Sequence, residues 1–399
     1  MQNYTEKTTC RVCSSHNLKE VLNLNDQPLA NSYHKGDEQE HFPLRLNLCE
    51  TCFHLQLSVV VNPDLMFKDY LYVSGTSKTL HEYFVDFVEL CENYSKEGKS
   101  ILDIACNDGT QLDKFKEKGW ATFGVDPAEN LHHLSSENHE VVCGYWDEDV
   151  ARKMNREYDV LVAQNVFAHV DDVSSFLKAC SLVMNEESHL FIQTSQANMI
   201  LNNEFDTIYH EHLSFFNSNS MKTCANFNGF SLVDVLNTDI HGTSYVFVLK
   251  KGIHDESKAM SQIDIENFNG LYRTSTYIEY AKKCHSVTSG LKEKISEFRE
   301  QDYKVIGYGA AAKGNTFLNF GSIDLDYIVD DNELKWDLLT PGRDIPIKNP
   351  QQLQNEDPNG IVVVPLAWNF FKEISAKTKT IVDSEDVKFV KYFPEVKVI

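Results

Sequence analysis

Short apolar runs alternate with segments of helical period through the middle of the chain. Helical spacing lies between most of the runs, as at 77–93, 111–118 and 173–183. The runs have the length of buried strands and lie at 100–109 (strand and tight turn), 121–125, 158–163, 189–193, 230–236 and 245–250. This alternation predicts a largely parallel, doubly wound α/β unit over 71–252. The last two runs lack a long helix between them, which predicts an antiparallel hairpin at one edge.

A second, smaller α/β unit is predicted over 253–399. It begins with a polar stretch, and strand-like runs follow at 304–309, 327–330 and 360–364. Between them and the polar stretch lies a long helix, whose predicted apolar face is Ile278, Ala281, Cys284, Val287, Leu291, Ile295 and Phe298. Residues 1–70 form a third, N-terminal unit.

Composition restricts the class of protein. At 399 residues, two or three domains are expected. There is no apolar run of about 18 residues and no signal-peptide pattern at the start, so we expect a cytoplasmic monomer without a membrane partner. The formal charge of −22 argues against nucleic-acid binding, which needs a basic face. It leaves room for one phosphorylated small molecule held locally.

Four cysteines near the N-terminus form two CxxC pairs, Cys10 with Cys13 and Cys49 with Cys52. Two such pairs predict a structural zinc site with four thiolate ligands and no vacant position. The alternative is a set of reduced core cysteines. The 35 residues between the pairs exceed the usual spacing, which predicts an inserted hairpin.

A loop suited to a nucleoside cofactor follows the first central strand. It contains Asp103, Ala105, Asn107 and Gly109, and the next strand ends at Asp126, which is placed to hold ribose hydroxyls. The full GxGxxG of a nicotinamide site is missing, and carboxylates disfavour a pyrophosphate. A nucleoside with a sulfonium cation fits better. The loop resembles the first two motifs of Rossmann-like methyltransferases, with Ala105 where glycine is usual, and implies S-adenosylmethionine. The alternative is a plain strand-turn-helix.

Tyr209-His210-Glu211-His212 concentrates acid–base groups far downstream of this loop. Metal binding is one interpretation, although no third ligand is evident and HExxH spacing is missing. A purely structural role is another. General-base catalysis fits best, because a carboxylate can orient an imidazole and a phenol can stabilise a developing oxyanion.

The stretch 206–216, Asp-Thr-Ile-Tyr-His-Glu-His-Leu-Ser-Phe-Phe, resembles the signature of the nucleotide-sugar C-3' methyltransferases of deoxysugar pathways. The resemblance covers nearly the whole chain. It implies a small N-terminal four-cysteine zinc domain, a central Rossmann-like methyltransferase domain and a C-terminal Rossmann-like domain that helps to bind the sugar nucleotide. The last is matched by Gly307-Tyr-Gly-Ala-Ala-Ala-Lys-Gly-Asn315 and Ala367-Trp-Asn369. A C-terminal domain without a ligand is the alternative.

The resemblance also implies roles for individual residues. His212 is the base, supported by Glu211 and Tyr209. The strand end at Asn165 lies at the cofactor and leads to a second active-site histidine, His169. Tyr72, preferred over Tyr70, is the matching active-site tyrosine. At 241–245 the chain reads His-Gly-Thr-Ser-Tyr where relatives carry an arginine, and Lys313 is placed near phosphates.

The resemblance implies methylation at C-3' of a nucleotide-linked 4-keto-6-deoxyhexose. The C-4' ketone acidifies the C-3' hydrogen, and its removal gives an enolate that attacks the methyl group. An O- or N-methyltransferase is the first alternative, and a zinc-ribbon interaction protein with a degenerate methyltransferase domain is the second. The sequence leaves open the nucleotide, dTDP or GDP, and the hydroxyl or amino substituent at C-3'.

Overall fold

The computed structural model of the chain describes residues 3–67, 74–76, 78–95, 98–194, 198–240 and 243–399. Three larger sheets, of four, seven and six strands, organise these residues. Within the described ranges, no helix has both the length and the apolar character that crossing a membrane requires.

The first part of the chain is a β-rich unit around the two CxxC pairs. Its elements are β1 (Tyr4–Glu6), β2 (Leu18–Gln27), β3 (Phe42–Cys49), β4 (Leu55–Leu57), β5 (Val59–Val61) and the short helix α1 (Asp64–Phe67). β2 and β3 form an antiparallel hairpin, which confirms the hairpin predicted between the cysteine pairs. Along β3 the side chains of Leu44, Leu46 and Leu48 are buried while Arg45 is exposed, the alternation of a half-covered sheet.

The middle of the chain contains a seven-stranded sheet with helices on both faces. The helices are α2 (Lys78–Tyr94), α3 (Thr110–Glu117), α4 (His132–Ser135), α5 (Glu148–Met154), α6 (Val173–Leu182) and α7 (Ser218–Phe227). The strands of this part are β6 (Ser100–Ile104), β7 (Ala121–Asp126), β8 (Glu140–Cys143), β9 (Tyr158–Gln164), β10 (Met184–Thr194), β11 (Ser214–Phe215), β12 (Phe230–Thr238) and β13 (Ser244–Lys251).

The strand order β12-β13-β10-β9-β6-β7-β8 is that of a doubly wound sheet with one antiparallel edge. β6 to β10 are mutually parallel, whereas β13 runs antiparallel to β10 and to β12. The predicted parallel sheet and its edge hairpin are therefore confirmed. β8 was missed, because Glu140–Cys143 is mostly exposed at the sheet edge and carries no strong apolar run.

Both faces of this sheet are covered, so its central strands are apolar throughout. Along β9, Val160 and Val162 pack on the side of α2 and α3, whereas Leu161 and Ala163 pack on the side of α6 and α7. All four side chains are fully buried. This is why β9 appears in the sequence as a continuous apolar run and not as an alternating one.

β11 belongs to a different sheet from its neighbours in the chain. It pairs antiparallel with β4, giving the N-terminal sheet the order β11-β4-β3-β2. The segment that contains Tyr209–His212 is thereby fixed to the cysteine-bearing unit immediately before β11.

The last part of the chain is a six-stranded sheet in the order β16-β15-β14-β17-β18-β19. β14 to β18 are parallel to their neighbours, and β19 is antiparallel. Its elements are α8 (Ser257–Phe268), α9 (Thr274–Arg299), β14 (Lys304–Tyr308), α10 (Ala312–Gly321), β15 (Tyr327–Val329), β16 (Ile347–Lys348), β17 (Ile361–Pro365), α11 (Phe371–Val382), β18 (Lys388–Lys391) and β19 (Lys397–Val398).

The helical region before β14 differs from the prediction in two respects. The predicted polar stretch contains α8, whose apolar residues Ile265 and Phe268 are largely exposed and so give no amphipathic signal. In α9 the predicted core position Ile278 is exposed, and the buried face runs instead through Tyr277 and Tyr280. Their hydroxyls donate hydrogen bonds to the carbonyls of Leu271 and Glu204, so both rings are buried without leaving a polar group unsatisfied.

The N-terminal sheet and the C-terminal sheet share one apolar core. Leu24 and Leu46 belong to the same cluster as Phe317 and Val364, and Ile208 and Leu213 of the intervening segment complete it. The residues on either side of 209–212 therefore pack against both the N-terminal and the C-terminal sheet.

Candidate functional site

The four predicted zinc ligands converge. The Sγ atoms of Cys10, Cys13, Cys49 and Cys52 all lie within 4.8 Å of one another. Sγ–Sγ separations are 3.6 Å for Cys10–Cys52 and for Cys13–Cys49. Tetrahedral zinc with Zn–S bonds of about 2.3 Å requires an edge of about 3.8 Å, so the cluster fits zinc. Four thiolates complete the coordination, which makes the site structural.

A cavity of about 400 Å³ lies at the carboxyl ends of β6, β7 and β9. This edge of a doubly wound sheet is where ligands of such folds bind. Of the predicted cofactor residues, Asp103, Ala105, Asn107, Asp126 and Asn165 line it. Gly109 is outside the lining; it caps α3 with φ of 84°, and a Cβ there would lie 3.1 Å from Ser135 Cα.

Asp126 holds the loop in shape. Its Oδ2 accepts a hydrogen bond from the Asn107 backbone N–H, and its Oδ1 accepts one from Ala128 N–H, both at 2.8 Å. Ala105 and Asn107 adopt left-handed backbone angles, with φ of 66° and 53°. Glycine adopts a left-handed angle such as that of Ala105 without strain, whereas a side chain makes this conformation costly.

The cavity is acidic. Burial raises the pKa of Asp103 well above its usual range, and the carboxylates of Asp126 and Asp108 add to the shift. Among the described residues that line the cavity, none is lysine or arginine. A cationic ligand relieves this repulsion, whereas a pyrophosphate would increase it. The donor set therefore fits the sulfonium and ammonium groups of S-adenosylmethionine.

The segment after α1 approaches the same loop. Ser74 N–H donates to Asn107 Oδ1 at 3.0 Å, and Gly75 N–H donates to Asp108 Oδ2 at 2.8 Å. Tyr70 and the predicted active-site residue Tyr72 lie outside the described residues, as do His241 and Gly242.

His212 has a defined orientation. Its Nδ1 lies 2.7 Å from the carbonyl oxygen of Thr207, and its Nε2 lies 3.2 Å from the hydroxyl of Tyr209. A carbonyl oxygen can only accept, so Nδ1 carries the proton in the neutral ring and Nε2 keeps its lone pair. The Tyr209 hydroxyl then donates to Nε2. Nε2 is thus the basic atom of this site.

His169 connects this histidine to the cofactor cavity. It ends the short turn Phe167–His169 after β9 and lines the cavity. Its ring centroid is 5.0 Å from that of His212. Desolvation lowers the pKa of His169 to about 4, so its ring is neutral near pH 7. His169 therefore lies between the cavity and the ring of His212 and contacts both.

Glu211 faces a different neighbour. Its Oε1 accepts a hydrogen bond of 2.6 Å from Asn31 Nδ2, which lies in the loop between β2 and β3. Burial raises the pKa of Glu211 to about 7, partly offset by that bond. The Thr207 carbonyl supplies an orienting contact to His212, a task that the sequence had assigned to Glu211.

His210 is buried on the opposite side. Its Nε2 lies 3.3 Å from the carbonyl oxygen of Phe42, and its ring packs on the Phe42 ring at a centroid distance of 5.7 Å. Burial lowers the pKa of His210 to about 4. These contacts give His210 a structural position beneath β3.

The glycine loop of the C-terminal sheet is largely occupied by its own protein contacts. Ala310 N–H donates to Asp330 Oδ2 at 2.6 Å, and the Ala310 carbonyl accepts from Tyr33 and Lys335. Gly309, with φ of 90°, approaches Ala367 so closely that a Cβ would lie 3.1 Å from the alanine methyl. The helix α10 begins immediately beyond, at Ala312.

Lys313 lies near the acidic residues Glu204 and Asp206, which precede Tyr209 in the chain. Its Nζ lies 5.6 Å from the centre of the Trp368 ring, whose Nε1 donates to Asp206 Oδ2 at 2.7 Å. Burial raises the pKa of Asp206 and of Glu204, and the charge of Lys313 opposes both shifts.

The sequence analysis did not identify two residues that contact the site, Thr207 and Asn31. Thr207 acts through a backbone carbonyl, which any residue supplies. Asn31 reaches Glu211 across 180 positions of the chain. The unusual spacing of the cysteine pairs was the available clue, because Asn31 and Tyr33 both lie in the loop that makes it long.

Three family models match consecutive parts of the chain. Residues 10–67 match one described as "Putative zinc binding domain", 77–235 match "Methyltransferase domain", and 239–394 match "C-methyltransferase C-terminal domain". A relative along nearly the full length is the C-methyltransferase NovU of Streptomyces niveus, 28% identical over 98% of this chain and 96% of the relative.

Other similarities are partial. A ubiquinone biosynthesis O-methyltransferase of Acinetobacter baylyi is 27% identical over 25% of this chain, which spans about half (45%) of that relative. A solved S-adenosylmethionine-dependent methyltransferase from Clostridium acetobutylicum aligns over 43% of this chain and 92% of its own, with 14% identity and a TM-score of 0.35.

The matched domains agree with the zinc cluster and the acidic cavity in position and chemistry. The chain is a methyltransferase with a four-cysteine cluster that fits zinc and an acidic cavity that fits S-adenosylmethionine, and its domain matches and full-length relative support a C-methyltransferase family.

Proposed function

We propose that the protein methylates C-3' of a nucleotide-linked 4-keto-6-deoxyhexose, carried by dTDP or GDP. The observation that supports this most is the arrangement of His212, whose Nε2 is unprotonated in the neutral ring and close to Tyr209 and His169. An unprotonated nitrogen beside a phenol and a neutral imidazole suits removal of a proton from carbon next to a ketone.

The protein groups divide the reaction between them. His212 Nε2 takes the C-3' proton, and the electron pair of that C–H bond moves into the enolate. The Tyr209 hydroxyl or the His169 ring donates a hydrogen bond to the enolate oxygen at C-4', and Tyr72 is proposed to assist. S-adenosylmethionine would supply the electrophilic methyl group that bonds to C-3' and would keep the electron pair of the S–CH₃ bond; the cavity residues Asp103 and Asp126 would hold it beside His169.

The C-terminal sheet is proposed to hold the nucleotide part. The amides of Gly309, Ala310 and Ala311 already donate to acceptors of the protein itself, namely the Val329 carbonyl, Asp330 Oδ2 and the Gly309 carbonyl. The first turn of α10 therefore supplies the backbone donors for a phosphate, beginning at Ala312, with Lys313 beside them.

The test combines methylation with proton exchange. The protein is incubated in D₂O with S-adenosylmethionine and a panel of dTDP- and GDP-linked 4-keto-6-deoxy sugars, and methyl gain and C-3' deuteration are followed by mass spectrometry. His212→Asn should lose both. His133→Asn, an exposed position on α4, serves as the matched control.

Two results would contradict the proposal. Retained C-3' exchange in His212→Asn removes His212 from the role of base. Methylation of sugars that lack the ketone would instead favour transfer to oxygen or nitrogen.

A further inference from the structure

Arg11 lies between the predicted zinc ligands Cys10 and Cys13, but the hydrogen bonds of its guanidinium go to other parts of the chain. Its backbone N–H donates to Gln56 Oε1 at 2.8 Å, which fixes its main chain to β4. The guanidinium-bearing side chain is fully buried, with a relative exposure of 0%. A buried arginine is costly unless its donors are used. Nε and Nη1 of Arg11 have hydrogen-bond partners, whereas Nη2 has none among the described residues.

One partner of Arg11 belongs to the loop of the first histidine. Arg11 Nε donates to Asp171 Oδ1 at 3.0 Å, and Lys7 Nζ contacts the same carboxylate from the solvent side at 2.9 Å. Asp171 follows His169 by two residues and precedes α6. The ion pair therefore fixes the short connection on which His169 is carried.

The other partner leads to the second histidine. Arg11 Nη1 donates to the carbonyl oxygen of Leu57 at 2.9 Å. The N–H of that same Leu57 donates to the carbonyl oxygen of Leu213 at 3.0 Å. Leu213 directly follows His212. A single guanidinium is thus linked to both histidine-bearing segments through hydrogen bonds of normal length.

We propose that Arg11 is a positioning residue that sets the placement of His169 relative to His212. The planar guanidinium presents its donors in a fixed fork, so it transmits geometry in a way that a flexible ammonium group does not. The two histidines come from different sheets, one from the end of β9 and one from the segment before β11. Arg11 joins those sheets at the point where their relative position determines whether the base reaches the substrate.

This inference rests on the proposed function, because it assigns His169 and His212 to one reaction centre. Three variants test it. Arg11→Lys keeps the charge and loses the fork, Asp171→Asn removes the charged partner without altering the cysteine loop, and Arg152→Lys is the control. Arg152 is an exposed residue of α5 that pairs with Glu148.

Misplacement of a reacting group by about 1 Å can cost about 100-fold in rate. We therefore expect kcat to fall by about tenfold or more in Arg11→Lys and Asp171→Asn, with KM, S-adenosylmethionine affinity and zinc content close to wild type. Arg152→Lys should match wild type in all four quantities. If Arg11→Lys loses zinc, Asp171→Asn decides the outcome.

A measurement without substrate separates this inference from the proposed function. The imidazole ¹⁵N signals of His169 and His212, identified by their loss in His169→Gln and His212→Asn, should shift in Arg11→Lys and Asp171→Asn but not in Arg152→Lys. Shifted signals in a protein that methylates no keto sugar would uphold the positioning and reject the substrate. Unshifted signals with kcat within about twofold of wild type would overturn the positioning role.

Discussion

The Nδ1 atom of His212 lies 2.7 Å from the carbonyl oxygen of Thr207, so the tautomer of the candidate base is set by the backbone five residues before it. A backbone carbonyl cannot be removed by a side-chain substitution, and it accepts at every pH. The proposed basic nitrogen, Nε2, therefore lies beside the Tyr209 hydroxyl whatever the ionisation state of Glu211.

Replacement of Tyr209 by phenylalanine should slow methyl transfer. The variant loses the hydroxyl that lies 3.2 Å from His212 Nε2, and with it a donor for a developing oxyanion. We expect kcat to fall by about 10- to 100-fold, with S-adenosylmethionine affinity unchanged. Tyr327→Phe, which loses a hydroxyl in the C-terminal sheet, is the control. Full activity in Tyr209→Phe would leave His169 as the only candidate donor among the described residues.

Replacement of Asp103 by asparagine should weaken binding of the methyl donor. Burial raises the pKa of the Asp103 carboxyl, and a bound cation favours its charged form. Asparagine cannot take that charge, and hydrogen bonds to charged groups contribute about 1.5–3 kcal/mol, or about 10- to 100-fold in Kd. Isothermal calorimetry measures the change. Asp149→Asn, on a side chain that is 83% exposed, should bind like wild type.

The free energy of unfolding of the ligand-free protein distinguishes binding from folding in this variant. Because burial raises the pKa of Asp103, the charged form destabilises the fold, and Asp103→Asn should be no less stable than wild type at pH 7. A loss of both affinity and stability would show that Asp103 acts on the fold.

Glu211→Gln should change the pH dependence of stability. The folded-state pKa of about 7 lies above the value of 4.5 for an ordinary glutamate. The stability associated with the protonated carboxyl is therefore complete below about pH 4.5 and is lost as pH rises through about 7. At pH 8, the free energy of unfolding of Glu211→Gln should exceed that of wild type by roughly 3 kcal/mol. Near pH 4.5 the two proteins should have similar free energies of unfolding. Denaturant titrations at both pH values measure this, and a difference independent of pH would contradict it.

Trp368→Phe should destabilise the protein more than Trp336→Phe does. Trp368 Nε1 donates to the buried carboxylate of Asp206, whereas Trp336 Nε1 donates to a backbone carbonyl. Loss of a donor to a charged acceptor costs about 1.5–3 kcal/mol, against about 1 kcal/mol for a neutral one. Urea unfolding compares the two half-buried tryptophans directly. Equal losses would indicate that Asp206 is protonated in the folded state.

Removal of zinc should release the strand pair β4–β11. Cys49 and Cys52 lie shortly before β4, and the Gln56 side chain of β4 is hydrogen bonded to the main chain on either side of Cys10. β11 pairs with β4. Treatment with a chelator, or Cys49→Ser, should cost several kcal/mol and accelerate amide hydrogen exchange in both strands. Exchange in β9, at the centre of the seven-stranded sheet, provides the internal reference. Unchanged exchange in β4 and β11 would show that this strand pair does not depend on the zinc site.

The sequence predicted the parts of the fold in which local pattern and burial agree. Continuous apolar runs such as Val160–Ala163 identify strands buried on both faces, and the cysteine spacing identified both the thiolate cluster and the hairpin inside it. Prediction failed where the solvent exposure of a side chain differs from what the hydrophobic pattern of the sequence indicates. β8 lies at an edge, and the face of α9 runs through two tyrosines whose hydroxyls find buried acceptors.

The candidate site was predictable by residue type but not by partner. His169 and His212 were both recognised from local motifs, and the structure brings their rings to 5.0 Å. Arg11 carries no catalytic motif, and Asn31 is one polar residue in a long loop. Contacts across more than 150 positions depend on how the sheets dock, and no local pattern encodes that docking.

The pairing of β4 with β11 also has a consequence for the order in which the chain is made. β4 ends at Leu57, but its partner strand, Ser214–Phe215, leaves the ribosome only after the sheet of the methyltransferase domain has mostly been synthesised. Until then β4 presents an unpaired edge, the kind of surface that recruits strands from other chains. The apolar core beneath it needs Phe317 and Val364, which emerge later still. The N-terminal unit is therefore first in the sequence and among the last to be completed.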